Sequence, residues 1–143
     1  MDSGLSLFRK IMRDRPRGDA LVEFVLLAPL LLLVLFGIFE VGRVVDAWLI
    51  VQNAAREGAR AGAVAYPDPS VGPTAVAAAK DYLATSGLSA RGDLTRDPLV
   101  TQLVTSDAVQ VTAEVDIKIY TPIIRVALPA SVPVRGTAAM RRQ

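Results

Sequence analysis

Sixteen consecutive residues, 24–39 (FVLLAPLLLLVLFGIF), carry no charge. This run limits what the chain can fold into more than any other feature. With Ala20, Leu21, Val22 and Glu23 ahead of it, it becomes a 20-residue stretch holding one carboxylate. About 20 mostly apolar residues span a bilayer as an α-helix. The preceding segment is basic: Arg9, Lys10, Arg13, Arg15 and Arg17 stand against Asp2 and Asp14, a net of +3 over residues 1–18. The positive-inside bias puts such a segment in the cytoplasm and the C-terminal body outside. The remaining residues have a net charge of −1. The pI near 9.3 therefore belongs to the leader and gives no reason to expect nucleic-acid binding by the body.

A removed secretory signal is the alternative reading. It needs a shorter apolar core, about 7–15 residues, followed at once by a small-x-small cleavage site. Here Glu40-Val41-Gly42-Arg43 follows, and the first small-x-small triplet, Ala63-Val64-Ala65, comes far downstream. A retained anchor is the expectation. Pro29 lies inside the run, removes one backbone hydrogen bond and is expected to kink the helix.

Helical character continues past residue 39. No proline follows until Pro67, and Val41, Val44, Val45, Trp48, Leu49 and Val51 recur near helical spacing. One helix over residues 20–64 would be ~65–70 Å long at ~1.5 Å per residue, about twice the hydrocarbon thickness of a bilayer. Its second half carries small residues at spacing four: Ala54, Gly58 and Gly62, and beside them Ala55, Ala59 and Ala63. Small residues let another backbone approach closely. Two readings stay open for this face: packing under the chain's own globular part, and packing between subunits.

The informative constellation is Arg15-Pro16-Arg17-Gly18-Asp19-Ala20-Leu21-Val22-Glu23-Phe24. An acidic residue at mid-membrane costs ~2.5–3.5 kcal/mol on insertion scales, and less near the head groups. An interfacial Glu23 is thus the plain structural reading. The arrangement also resembles the class III signal of type IV prepilins and pseudopilins. The resemblance implies that a prepilin peptidase cuts after Gly18. Asp19 then becomes the N-terminus and Glu23 the fifth residue of the mature chain. It further implies that Glu23 pairs with an N-terminal amine, on a neighbouring subunit or its own chain. Glycine suits the cut position because a peptidase needs close backbone access.

The longer pattern RGDALVEFVLLAPLLLLVLFGIFEVGR, followed by NAAREGARAGA, is similar to the TadE-like minor pilins (pseudopilins) of the tight-adherence (Tad/Flp) type IV pilus system. The AAREGAR block is its most specific part, and the resemblance is dense over residues 17–63. Asp19 departs from the Phe usual after the cut in ordinary pilins, so N-methylation does not carry over. Within AAREGAR, Arg56, Glu57 and Arg60 are candidate inter-subunit charge contacts; i,i+3 pairs and lipid head-group contacts are the other readings.

The body reads as follows. Residues 66–73 (YPDPSVGP) form a loop. Thr74 is expected to cap a helix over 75–86 that stops at Gly87, with Val76, Ala79 and Leu83 on its buried face. Residues 90–98 are turn-rich, and 99–105 (LVTQLVT) fit either a strand or a helical turn. Over residues 109–120, Val109, Val111, Ala113, Val115, Ile117 and Ile119 alternate with polar residues and Tyr120, the pattern of a half-buried strand. Residues 122–129 form an apolar linker. Residues 132–141 alternate again, with Pro133 suited to a sheet edge. So thin a layer cannot bury a core alone, and packing on the exported half of the long helix resolves this. The expected fold is α+β and pilin-like: a long N-terminal transmembrane and amphipathic helix, with a head of one short helix and a two- to three-stranded antiparallel sheet. The expected segments are a cytoplasmic leader over 1–18, a helix over 19–65 with its transmembrane part about 20–39, and a head over 66–143.

The chain has no Cys and no His. Zinc sites of the usual kind, thiol chemistry and His-based triads are excluded. Glu114 and Asp116 share a strand face with Lys118, which reads as a solvated charged surface. Asp93, Asp97 and Asp107 offer hard oxygens, but their spacing matches no EF-hand, and a solvated loop is the simpler reading. No glycine-rich phosphate loop follows a strand, and no Ser or Thr has a base partner. The expectation is therefore no catalytic residue, metal, cofactor or small-molecule substrate. The functional expectation is a TadE-type minor pilin of the bacterial inner membrane, single-pass with its N-terminus inside, acting in pilus initiation, priming, or at the tip or base. Its partners would be the prepilin peptidase, other pilins, the assembly platform and the lipid bilayer. An uncleaved single-pass accessory or scaffold protein of a secretion or pilus machine is the alternative, and needs neither Gly18 nor Glu23. A secreted binding domain would require cleavage downstream of the apolar run.

Overall fold

The computed structural model describes residues 17–66, 68–121, 125 and 129–141. The basic cluster ahead of Arg17 and most of the apolar linker lie outside the described residues. The chain forms two compact units, one ending at Phe36 and one beginning at Gly37.

Helix α1 runs over Arg17–Val64, 48 residues that include Pro29. In the first unit its apolar side chains are solvent-exposed, from Leu21 through Phe36. The helix is long and apolar enough to cross a membrane, with an 18-residue window of mean hydropathy 2.7 in which no residue is buried. A helix with apolar residues all round is stable only where something apolar surrounds it.

In the second unit α1 becomes one wall of a core. Ala47, Val51, Ala54 and Ala55 pack with Leu83, Leu88, Val115, Ile117 and Val134. A second cluster joins Ala59 to Val71, Ala75, Ala79, Val109 and Val111. Helix α2 (Val71–Thr85) and strands β1 (Leu99–Val104), β2 (Ala108–Lys118) and β3 (Ser131–Arg141) supply the other side. The sheet is antiparallel in the order β1-β2-β3.

Strand β2 shows the expected alternation: Val109, Val111, Ala113, Val115 and Ile117 are buried, and Ile119 just past its end is too. Burying each of the Val and Ile side chains stabilises the fold by about 1.5–3 kcal/mol. Strand β3 places Pro133 opposite Asp116 on an outer strand, where a missing N–H costs nothing to the ladder. The ambiguous 99–105 stretch is a strand over Leu99–Val104. Helix α2 begins at Val71, a turn before the expected Thr74 cap, with Ser70 in the cap position. Pro73 did not delay it. The first N–H groups of a helix have no intrahelical acceptor, so proline fits the first turn, and the first closing bond is from Thr74 N–H to the Ser70 carbonyl, 2.9 Å. Gly87 stands just past the C-cap at φ +81°, a left-handed end that glycine tolerates.

Candidate functional site: helix α1 and its contacts

Gly18, Asp19 and Glu23 lie in the first two turns of α1, all solvent-exposed. A Cβ added at Gly18 would meet nothing within 4 Å among the described residues. Pro29 is exposed in the same unit.

The small-residue face of α1 is covered within the second unit. Ala54, Ala55 and Ala59 are buried. A Cβ on Gly58 would fall 2.7 Å from the Ala75 carbonyl oxygen and 2.9 Å from Ala79 Cβ. One on Gly62 would fall 2.8 Å from Val109 Cγ1 and 2.9 Å from Ala75 Cβ. These glycines let α2 and β2 close on α1. The charged residues of AAREGAR face the other way. Arg56 donates to Asn53 Oδ1 at 3.3 Å, and Arg60 stands 3.9 Å from Glu57. All three are exposed, so this face remains available to other molecules.

A buried polar node sits where the apolar run ends. Glu40 and Asp93 are the buried charged residues, at 5% and 7% exposure among the described residues. Arg43 donates to Glu40 Oε2 at 3.1 Å and to Asp93 Oδ1. Glu40 Oε1 accepts the Tyr120 backbone N–H at 2.8 Å. The guanidinium also covers the Tyr120 ring, 4.3 Å from its centroid. The 93–95 stretch is brought there by pairing with the end of β2: Lys118 N–H donates to the Asp93 carbonyl at 2.8 Å. Two carboxylates thus share one arginine, and the other Glu40 oxygen is taken by a backbone N–H, the kind of pairing that buried charge requires. Sequence reasoning missed this node. The available signal was the i,i+3 pair Glu40 and Arg43 immediately after an uncharged run.

The outer face of the sheet is a network of ion pairs. Arg96 reaches Glu114 at 3.0 Å and Asp116 at 2.6 Å, and Arg135 reaches Glu114 at 2.7 Å. The hydrogen bond from Arg135 holds the Glu114 carboxyl below its ordinary range. Asp93, considered above as a cation ligand, is instead the partner of Arg43, with Arg91 3.5 Å away. Among the described residues no three acidic side chains converge as a metal site would require.

Residues 18–60 match the TadE-like protein family. The match begins at Gly18, includes Glu23, the apolar run and the Glu40–Arg43 pair, and ends at Arg60. It covers neither α2 nor the sheet. No curated protein and no solved structure matches the chain. The resemblance read from the residues is borne out over this TadE-like segment, and it associates the chain with the Tad pilus system. The segment includes the part of α1 that is apolar enough to cross a membrane.

Proposed function

We propose that the chain is a minor pilin (pseudopilin) of TadE type. It inserts with its N-terminus in the cytoplasm. A prepilin peptidase cuts it after Gly18, and it takes part in assembling a Tad/Flp-type pilus from the bacterial inner membrane. The observation that carries this reading is the extent of the TadE-like segment, which opens on Gly18 and carries Glu23 five residues further on. Glu23 has a physical reason to be there. A carboxylate in a spanning helix is costly unless a cation neutralises it, and cutting after Gly18 creates one, the amine of Asp19. The small-residue face of α1 is occupied by the chain's own head, so contacts with other pilins fall to the apolar residues 24–39 and to Arg56, Glu57 and Arg60. In this reading the chain is the substrate of a peptidase and performs no chemistry itself.

The test is the N-terminus of the membrane-extracted protein, by intact mass, with and without a co-expressed prepilin peptidase. The expected result is a peptidase-dependent start at Asp19 that disappears in Gly18→Ala. An added methyl at Gly18 meets no described neighbour, so loss of cleavage in that variant reports recognition and not misfolding. An uncut chain beside a demonstrably active peptidase would replace this reading with the single-pass scaffold.

A further inference from the structure

The two outer strands of the sheet are unlike in one respect that bears on partners. Thr137 of β3 turns its backbone away from β2, and both of its groups are taken by one side chain of α1. Thr137 N–H donates to Gln52 Oε1 at 3.1 Å, and Gln52 Nε2 donates to the Thr137 carbonyl at 3.4 Å. The same alternation turns Pro133 outward, where it has no N–H to offer. Gly136 lets this happen: a Cβ there would fall 2.8 Å from the Gln52 backbone nitrogen. The β3 edge is blocked by proline and by an amide that stands in for a further strand.

Strand β1 has no such cover. Thr105 N–H donates to the Ala108 carbonyl at 2.9 Å and closes the β1–β2 hairpin. Alternation from that pair sends the backbone groups of Leu103, Thr101 and Leu99 to β2, and those of Val104, Gln102 and Val100 outward. The outward groups have no partner among the described residues. The strand LVTQLV bears no charge, and Leu99, Leu103 and Val104 are exposed. Edges of this kind are ordinarily blunted by charge, proline or a bulge.

A cavity of about 360 Å³ adjoins this edge, lined by Val71, Pro73, Gln102, Val104, Tyr66 and Asp68 among others. Its walls are mixed, apolar at Val71, Pro73 and Val104 and polar at Gln102 and Tyr66, and Asp68 is the charged residue among them. Asp68 Oδ1 accepts the Ser70 N–H at 2.7 Å, which holds the carboxyl below its ordinary range and keeps it charged.

We infer that the β1 edge is a docking site for an extended segment of a partner protein, added as a fourth strand and carrying a lysine or arginine into the Asp68 cavity. Backbone pairing supplies attachment, and the alternate side chain supplies selectivity. The aliphatic stem of a basic residue suits Val71, Pro73 and Val104, and its head suits Asp68. A second copy of this chain is a poor occupant for two reasons. Its β3 edge is already blocked. Its β1 edge is backed by α2, which packs against β1. Paired strands lie about 4.8 Å apart, whereas packed helices need about 8–10 Å, so a two-fold β1–β1 pairing would drive two α2 helices together. This inference is independent of processing at Gly18.

The test uses the full chain in detergent micelles and a labelled, end-blocked peptide, Thr-Val-Thr-Val-Lys-Val-Thr-Val, read by fluorescence anisotropy. Saturable binding is expected, with Glu in place of Lys weakening it about tenfold, as a near-surface charge reversal should. Asp68→Asn is expected to remove most of that preference. Methylating the alternate amides that face β1 should abolish binding, while methylating the other set should leave it, a comparison that needs no change in the protein. Hydrogen exchange at Val100, Gln102 and Val104 should slow only when peptide is present. No binding up to about 1 mM peptide, or equal binding by both methylated sets, would overturn the proposal. So would slow exchange at those three amides in peptide-free protein that self-associates, which would make a second copy the occupant.

Discussion

Arg43 lies one helical turn after Glu40 and donates to its Oε2 at 3.1 Å, while the other oxygen of the same carboxylate accepts the Tyr120 N–H at 2.8 Å. The pair fixes the end of β2 to α1, and the second bond from Arg43, to Asp93, fixes the segment that precedes β1. Removing the arginine leaves buried Glu40 without its cation and leaves Asp93 only Arg91, 3.5 Å away. Arg43→Met should cost about 3–5 kcal/mol, a large part of the stability of a small domain. Glu40→Gln keeps an acceptor for Tyr120 and should cost less, about 1–3 kcal/mol. Denaturation midpoints of the detergent-solubilised variants check the order. Equal midpoints for Arg43→Met and the parent chain would show that the node contributes nothing.

The glycines of α1 separate into those under cover and those in the open. Gly58→Ala drives a methyl to within 2.7 Å of a backbone oxygen of α2. It should destabilise by about 1–3 kcal/mol through overpacking, against a gain of up to about 1 kcal/mol in helix propensity. Gly42→Ala meets nothing within 4 Å and should show only the gain. The prediction is opposite signs for the two variants in the same unfolding assay, and a stabilised Gly58→Ala would contradict the close approach.

Glu114 carries an acid-sensitive contribution. Its carboxyl lies below its ordinary value of 4.5 because Arg135 donates to it, with Arg135 and Arg96 adding charge attraction. A depressed folded-state value means the contribution is fully present above the unfolded value and is lost as pH falls through the folded one. Thermal midpoints of the parent chain should therefore fall on acidification below about pH 4.5, and Glu114→Gln should fall less over the same range. The carboxylate is at the surface, so added salt should shrink the difference between them. Identical acid profiles for the two proteins would remove Glu114 as the cause.

Glu23 is exposed and its side chain makes no hydrogen bond or ion pair among the described residues, so its role is read in assembly. In cells carrying a complete pilus system, Glu23→Ala should be cut after Gly18 as efficiently as the parent and should fold a normal head. It should be depleted at least about tenfold from sheared surface fractions, the effect of leaving a new N-terminal amine without its counter-ion in the bilayer. Wild-type amounts of Glu23→Ala in the sheared fraction would separate processing from any pairing at this residue.

Local patterns made much of this chain legible. The uncharged 24–39 run became part of a helix and the 109–120 alternation a strand, as expected, while the small residues at spacing four left two readings open. The cap of α2 was misread because a proline at position 73 looks like a break when its place in the turn is unknown. Strand β1 was ambiguous because six uncharged residues, four of them apolar, suit two periods equally, and only pairing with β2 selects one. Gln52 and Asp93 carried no sign of the partners they meet, and Glu40 carried only its i,i+3 spacing from Arg43. Their distant partners, Thr137, Arg43 and Tyr120, lie from 50 to 85 residues away along the chain.

What the sequence determined by itself is set by nearest neighbours: a helix apolar enough for a bilayer, its basic approach, the Gly18 and Glu23 spacing, and a strand with one buried face. What the tertiary structure decided is which of two open readings each surface follows. It placed Gly58 and Gly62 under α2 and β2 within the chain's own head, leaving Arg56, Glu57 and Arg60 outward. It closed the β3 edge with Gln52 and left β1 open. Such choices depend on contacts between segments distant in sequence, and periodicity records only which residues share a face, not what that face will meet.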